Sequence, residues 1–109
     1  MNKKYRIKKN EEFSRIIAKK KSKASDTFVI YYDDKREANS RVGISVSKKM
    51  GDAVTRNKIK RQIRMMFINN YDFENEKIDV IVIVRKPYLE KTYETNLTEL
   101  EKLIKKAII

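Results

Sequence analysis

Apolar residues change their spacing several times along the chain, and each spacing predicts a different element. Phe13, Ile16 and Ile17 recur at the spacing of one helical face. Asn10 is the predicted cap of this helix, because the two glutamates that follow it then occupy the first turn, where negative charge is favoured. The pattern ends in the lysine-rich stretch 19–23. A short amphipathic helix is therefore expected near the start of the chain.

Three stretches have the patterns of β-strands. Residues 27–33 (TFVIYYD) are aromatic and β-branched, and a shorter strand is expected before them, near Lys23. In residues 41–47 (RVGISVS) apolar residues alternate with small ones, as in a strand with one buried face. Residues 79–85 (DVIVIVR) form a nearly continuous apolar run, which is typical of a central strand covered on both faces, and Pro87 ends it.

Two further stretches have helical spacing. After a predicted sharp turn at Gly51 the period becomes 3.6, which indicates a helix over residues 53–70. Its apolar stripe consists of Ile59, Ile63, Met66 and Phe67. The last pattern predicts a structural helix with Tyr93, Leu97, Leu100, Ile104 and Ala107 on one face. The order of elements predicts one α+β sandwich domain, residues 1–109, with a sheet of three or four strands. Gly43 is expected at a bulge or a close approach within its strand.

The charge of the chain indicates a polyanionic partner. The 109 residues carry a net charge of +12, and their 40% hydrophobic content suffices for one small core. Residues 1–64 contain 20 basic and 7 acidic side chains, a net charge of +13, whereas residues 65–109 contain 7 and 8, a net charge of −1. Such asymmetry favours a binding face built from particular elements. Nucleic acid is the leading candidate, since no apolar run approaches the roughly 20 residues that span a bilayer.

Few side chains in this sequence are suited to catalysis. The chain has no histidine and no cysteine, which excludes nucleophilic sites based on them and the usual zinc ligands, and favours a reducing cytoplasm. Two acidic groups remain, one expected in a turn and one after the long helix; either binds Mg²⁺ through water or simply caps and solubilises its loop. Their members are Asp33 and Asp34, and Asp72, Glu74 and Glu76.

The segment RNKIKRQIR, residues 56–64, has five cationic side chains and no acidic one. On a helix, a second stripe apart from the apolar one contains Asn57, Lys60, Arg61 and Arg64. The absence of acidic partners excludes stabilisation by ion pairs along the helix. Phosphates relieve the mutual repulsion and release counterions, and arginine contacts them with two hydrogen bonds. The segment therefore predicts contact with nucleic acid.

Residues 41–64, RVGISVSKKMGDAVTRNKIKRQIR, resemble the signature of the bacterial ribonuclease P protein family: a strand, a Lys-Lys-x-Gly turn and an Arg-Asn-x-x-Lys-Arg helix in this order. The likeness extends to residues 7–13, to FVIYY and to VIVIVRKP. It implies an αβββαβα two-layer sandwich, ribosomal protein S5 domain 2-like. It also implies a left-handed βαβ crossover, where the general rule predicts a right-handed one.

The resemblance further implies that the protein is the accessory subunit of ribonuclease P. In this family a catalytic RNA uses Mg²⁺ to remove the 5′ leader of precursor tRNA, and the metal is held mainly by that RNA and the substrate. The protein alone is therefore expected to be inactive, and none of its residues is assigned a catalytic or metal-binding role. The free protein is expected to be a cytoplasmic monomer. The implied contacts with the catalytic RNA are Lys48, Lys49, Arg56, Asn57, Lys60, Arg61 and Arg64. Those implied to line the leader cleft are Phe13, Ile17 and Tyr31.

Several alternatives stay open at this point. The family commonly has an aromatic where this chain has Ile17, so apolar contact is expected there in place of base stacking. Phe13 could equally be a core residue packed on the sheet. Among other functions, the basic helix suits a regulator that reads duplex DNA, and the acidic residues 72–76 suit an autonomous nuclease.

Overall fold

The computed structural model describes all 109 residues, and its elements follow the predicted order. The three helices are α1 (Asn10–Ala18), α2 (Ala53–Asn70) and α3 (Tyr93–Ile108). The four strands are β1 (Ser22–Ala24), β2 (Phe28–Asp34), β3 (Val42–Ser45) and β4 (Ile78–Val84). Short 3₁₀ turns precede the helices, at Lys3–Tyr5, Lys48–Met50 and Lys86–Glu90. The chain thus has the αβββαβα order. None of its helices has the length and apolar composition needed to span a bilayer.

The strands form one mixed sheet in the order β1-β2-β4-β3. β2 is antiparallel to both β1 and β4, whereas β3 and β4 are parallel neighbours. Helix α2 connects these two parallel strands, so it is the crossover helix for which the family resemblance predicts a left hand. Strand β3 is at an edge of the sheet, where the amide of Ile7 donates to the carbonyl of Val42 at 3.0 Å.

Both faces of the central strand β4 are covered. Val80 and Val82 belong to the main core, to which α2 and α3 contribute their apolar stripes. Ile81 points to the opposite face and packs with Ile16 of α1 and with Ile7. Burial on both faces therefore explains the continuous apolar run of β4, as predicted. Helices α2 and α3 pack against one face of the sheet and form the second layer of the sandwich. Helix α1 lies across the opposite face.

Several predicted boundaries differ from those in the structure. The cap of α1 is Lys9, which makes no side-chain capping bond, and Asn10 is already helical, so the predicted cap was wrong. Asp33 lies within β2 and is buried, not in a turn. Strand β3 ends at Ser45, before the 3₁₀ turn. Gly51 confirms the predicted turn, because its φ of 139° is accessible mainly to glycine.

Candidate nucleic-acid interface

Helix α2 is fixed by its N-terminal cap and by its apolar stripe. Asp52 accepts a hydrogen bond from the amide of Thr55 at 2.9 Å, which satisfies one of the free amides of the first turn. The four stripe residues are at most 2% exposed. This anchoring leaves the remaining faces of the helix for polar side chains, so the rigid core determines where the cationic stripe lies.

The seven predicted RNA-contacting residues lie on α2 and on the 3₁₀ turn before it. Four are exposed, namely Lys48, Lys49, Asn57 and Arg61, and three are half-buried, namely Arg56, Lys60 and Arg64. No carboxylate lies within 4.0 Å of any of these cations, since the ion pairs of the molecule involve Lys4, Arg15, Lys21, Arg41 and Lys91 as the basic partners. The cationic face therefore has no ion pair. The carboxylate of Asp52 interacts more weakly with Arg56, whose charge helps to lower the pKa of Asp52 after the hydrogen bonds from Thr55.

Two further cations lie beside α2, and the sequence pattern of the helix did not indicate them. Arg6 and Lys8 of the N-terminal segment line a pocket of about 200 Å³ together with Lys60 and Arg64. The pKa of Arg64 is lowered, first by burial and then by the positive charge of Arg6. The only sequence signal was the basic composition of residues 1–9, because their position against α2 depends on tertiary contacts.

The predicted leader cleft lies on the α1 face of the sheet. Phe13 and Tyr31 are half-buried and pack against the small cluster formed by Ile7, Ile16 and Ile81. Ile17 is also half-buried but is not part of this cluster. Phe13 thus has features of both alternatives, because part of its ring packs on the sheet and part remains accessible.

Phe13 also connects the cleft to the cationic face. Its ring lines the pocket next to Arg64 and a neighbouring pocket of about 390 Å³, which Lys8 and Lys60 share. Aromatic and cationic side chains therefore line one continuous surface from α1 to α2. This combination is common in proteins that bind single-stranded nucleic acid, where bases stack and phosphates meet cations.

The acidic residues considered as Mg²⁺ ligands are engaged in local contacts. Asp33 pairs with Arg15 at 3.4 Å, and Asp72 accepts a hydrogen bond from the side-chain amide of Asn75 at 2.8 Å. Glu74 accepts from the hydroxyl of Tyr5 at 2.7 Å. No group of three or more acidic side chains is placed to hold a metal ion. These contacts fit the capping and structural alternative.

Gly43 determines how closely Phe13 approaches the sheet. A Cβ atom on this residue would lie 2.7 Å from Cζ of Phe13 and 2.8 Å from Cδ1 of Ile81, which confirms the predicted close approach. We expect Gly43→Ala to displace Phe13 and to lower the free energy of unfolding in urea by about 1–3 kcal/mol.

A matched control for this substitution is Ser45→Ala, on the same strand and the same face, where little change in stability is expected. Adding Phe13→Leu to Gly43→Ala makes room for the methyl group and restores part of the lost stability. Equal stability of Gly43→Ala and the parent protein would contradict the close approach.

Comparisons with known proteins agree with the sequence signature and the fold. The sequence model of the family described as Ribonuclease P matches residues 1–108. The chain is 50% identical to the ribonuclease P protein component of Bacillus cereus over 95 residues, which cover 86% of this chain and 83% of that protein. The structure resembles the RNase P protein of Staphylococcus aureus with a TM-score of 0.82 and 43% identity, covering 94% of each chain.

A more distant relative has the same fold. The RNase P protein from Thermotoga maritima is 30% identical, with a TM-score of 0.81 over 93% of this chain and 96% of that one. The similarity thus includes the α1 face, the sheet and the cationic helix in a single alignment of nearly full length. On this evidence the chain belongs to the ribonuclease P protein family.

Proposed function

We propose that the protein is the RNA-binding subunit of a ribonuclease P holoenzyme. The 3₁₀ turn Lys48–Met50 and the cationic face of α2 bind the catalytic RNA. The cleft between α1 and the sheet binds the 5′ leader of precursor tRNA. The observation that carries the proposal is a rigid face of cations with no carboxylate partner, in a chain of this family.

Simple electrostatics supports binding to RNA. Several like charges on one helix face repel each other, and phosphates remove this repulsion while condensed counterions are released from the RNA. Arginine adds paired hydrogen bonds to phosphate oxygens, and the exposed amide of Asn57 can donate to backbone or base. The half-buried position of Arg56, Lys60 and Arg64 restricts their motion, which reduces the entropy lost on binding.

In this proposal the catalytic RNA performs the hydrolysis, and Mg²⁺ is held mainly by that RNA and by the substrate. The role of the protein is to orient the leader and to offset the phosphate repulsion between the two RNA molecules. The composition of the chain supports this division, because it has neither histidine nor cysteine to act as nucleophile or general base. We place the complex in the cytoplasm and expect the free protein to be monomeric.

The leader cleft is proposed to combine stacking with apolar contact. Phe13 and Tyr31 offer aromatic surfaces to bases, whereas Ile17 offers an apolar one. A stacked base is worth about 1–3 kcal/mol, so the cleft binds less tightly at Ile17 than an aromatic there would allow.

Reconstitution with a bacterial ribonuclease P RNA tests this function. We expect the complex to cleave precursor tRNA in the presence of Mg²⁺ and to bind precursor more tightly than mature tRNA, whereas the protein alone cleaves neither. Duplex DNA should compete poorly for the protein, which distinguishes it from a reader of the major groove. Metal-dependent cleavage by the protein without RNA, or equal affinity for precursor and mature tRNA, would refute the proposal.

A further inference from the structure

The N-terminal segment, residues 3–8, is held against the fold at several points. The ring of Tyr5 stacks on Phe73 with 4.3 Å between centroids and an interplanar angle of 14°. Glu74 accepts from the hydroxyl of Tyr5 at 2.7 Å and pairs with Nζ of Lys4 at 2.9 Å. We call the set Tyr5, Phe73 and Glu74 the clasp. Because the clasp joins the chain start to the loop after α2, it restricts where the next residues can lie.

The residues that follow the clasp continue along the edge of the sheet. Arg6 forms a parallel bridge with Val42, and Ile7 is buried against the α1 face of the sheet. Arg6, Ile7 and Lys8 all line the pocket beside α2. The bridge to Val42 and the burial of Ile7 therefore hold the two cations next to this helix.

Four cations and no carboxylate line this pocket, which we call the cationic pocket and define as Arg6, Lys8, Lys60 and Arg64. Its volume of about 200 Å³ can accommodate a phosphate group with its water molecules. The clasp and the core of α2 fix the backbone on the two sides of the pocket, which keeps the attachment points of the four cations close together. Burial is the main cause of the lowered pKa of Arg64, and the positive charge of Arg6 adds to it, so repulsion within the pocket contributes to this shift. An anion bound in the pocket would offset this repulsion.

Phe13 indicates which anion the pocket receives, because its ring lines both the cationic pocket and the leader cleft. We propose that the cationic pocket binds a phosphodiester group of the single-stranded leader, and that the clasp preorganises Arg6 and Lys8 for this contact. The inference rests on the proposed function. It extends the leader cleft to the N-terminal segment and to Lys60 and Arg64, which it assigns to the leader instead of the catalytic RNA. It also makes Tyr5 a positioning residue that need not touch RNA.

Two substitutions in the reconstituted holoenzyme test the subsite and the clasp separately. Arg6→Gln removes one charge from the pocket, so we expect the affinity for precursor tRNA to fall about tenfold and its salt slope to fall by about 0.7. Tyr5→Ala opens the clasp and leaves all four cations, so we expect about a threefold loss. Affinities for mature tRNA and for the catalytic RNA remain at the parent values in both variants. Binding is measured under conditions that prevent cleavage.

The controls separate a local role from a general one. Lys3→Gln removes an exposed charge outside the pocket and should leave the affinity for precursor unchanged. Tyr5→Phe keeps the stacking on Phe73 and should bind precursor nearly as well as the parent protein. If circular dichroism or urea unfolding shows that Arg6→Gln is poorly folded, Lys8→Gln replaces it, because it removes one charge from the pocket at an exposed position.

Two results would overturn the subsite. In the first, the variants at Arg6 and Lys8 bind precursor as well as the Lys3 control does, although the parent holoenzyme prefers precursor. In the second, they weaken the binding of precursor and mature tRNA equally, which would assign the pocket to another part of the RNA. A parent holoenzyme without any preference for precursor would instead refute the proposed function itself.

Discussion

Replacing Lys49, Arg56 and Arg61 together by alanine is expected to weaken binding of the catalytic RNA about 100-fold. Each of these cations lies on the proposed RNA-binding face outside the cationic pocket, and each is without a carboxylate partner. Losing three phosphate contacts should also flatten the slope of log affinity against log salt concentration by about two to three. Equilibrium binding measured at several salt concentrations provides both numbers.

The matched control removes three lysines from the last turns of α3. Lys102, Lys105 and Lys106 are exposed, and their replacement by alanine changes the net charge by the same amount. We expect this control to weaken RNA binding only slightly, since long-range attraction is screened beyond about 10 Å at ordinary salt concentrations. Equal losses in the two triple variants would show that total charge matters and that the α2 face does not.

Arg41→Met is expected to lower the free energy of unfolding by about 3–5 kcal/mol, because it leaves the buried carboxylate of Asp79 without its cation. Arg41 pairs with Asp79 at 3.2 Å and with Glu12 of α1 at 2.7 Å, and its backbone amide donates to Asp79 at 2.9 Å. Asp79 is fully buried, and burial raises its pKa against the opposing effect of Arg41. Its partner in the β2 register is Asp33, another carboxylate. Urea unfolding measures the loss.

The double variant Arg41→Met with Asp79→Asn distinguishes an unpaired charge from lost packing. Asparagine keeps an acceptor for the amide of Arg41 while removing the buried charge, so we expect at least half of the lost stability to return. A double variant as unstable as Arg41→Met alone would show that the guanidinium acts through its packing. Since Arg41 also links the sheet to α1 through Glu12, the single variant should loosen the leader cleft.

The sequence predicted α2 and β4 well, for identifiable reasons. The predicted bounds of α2, residues 53–70, agree with the structure, because a capping aspartate, a preceding glycine and a strict apolar stripe all act locally. The apolar run of β4 indicated its central position correctly. Predictions that depended on one capping residue were less accurate, as Asn10 illustrates. Local preference favours asparagine over lysine as a cap, yet α1 begins one residue earlier, with Lys9 as its cap, so this preference does not determine where the helix starts.

Placement of the acidic residues required tertiary information. Residues 33 and 34 look like a polar turn in the sequence, yet Asp33 continues β2 opposite Asp79. What stabilises it there is Arg15, which lies 18 positions earlier and approaches only when α1 packs on the sheet. A local pattern contains no information about such a partner.

Sequence patterns alone suffice to derive the order of the elements, the cationic stripe of α2 and the family signature. These features depend on the spacing of residues along the chain, which local geometry converts directly into helix faces and strands. Folding of the whole domain, in contrast, places Arg6 and Lys8 beside Lys60 and Arg64 and packs Phe13 over Gly43. Those contacts join residues 30 to 58 positions apart. Local preferences do not act over such separations, so the residues meet only because the whole domain packs.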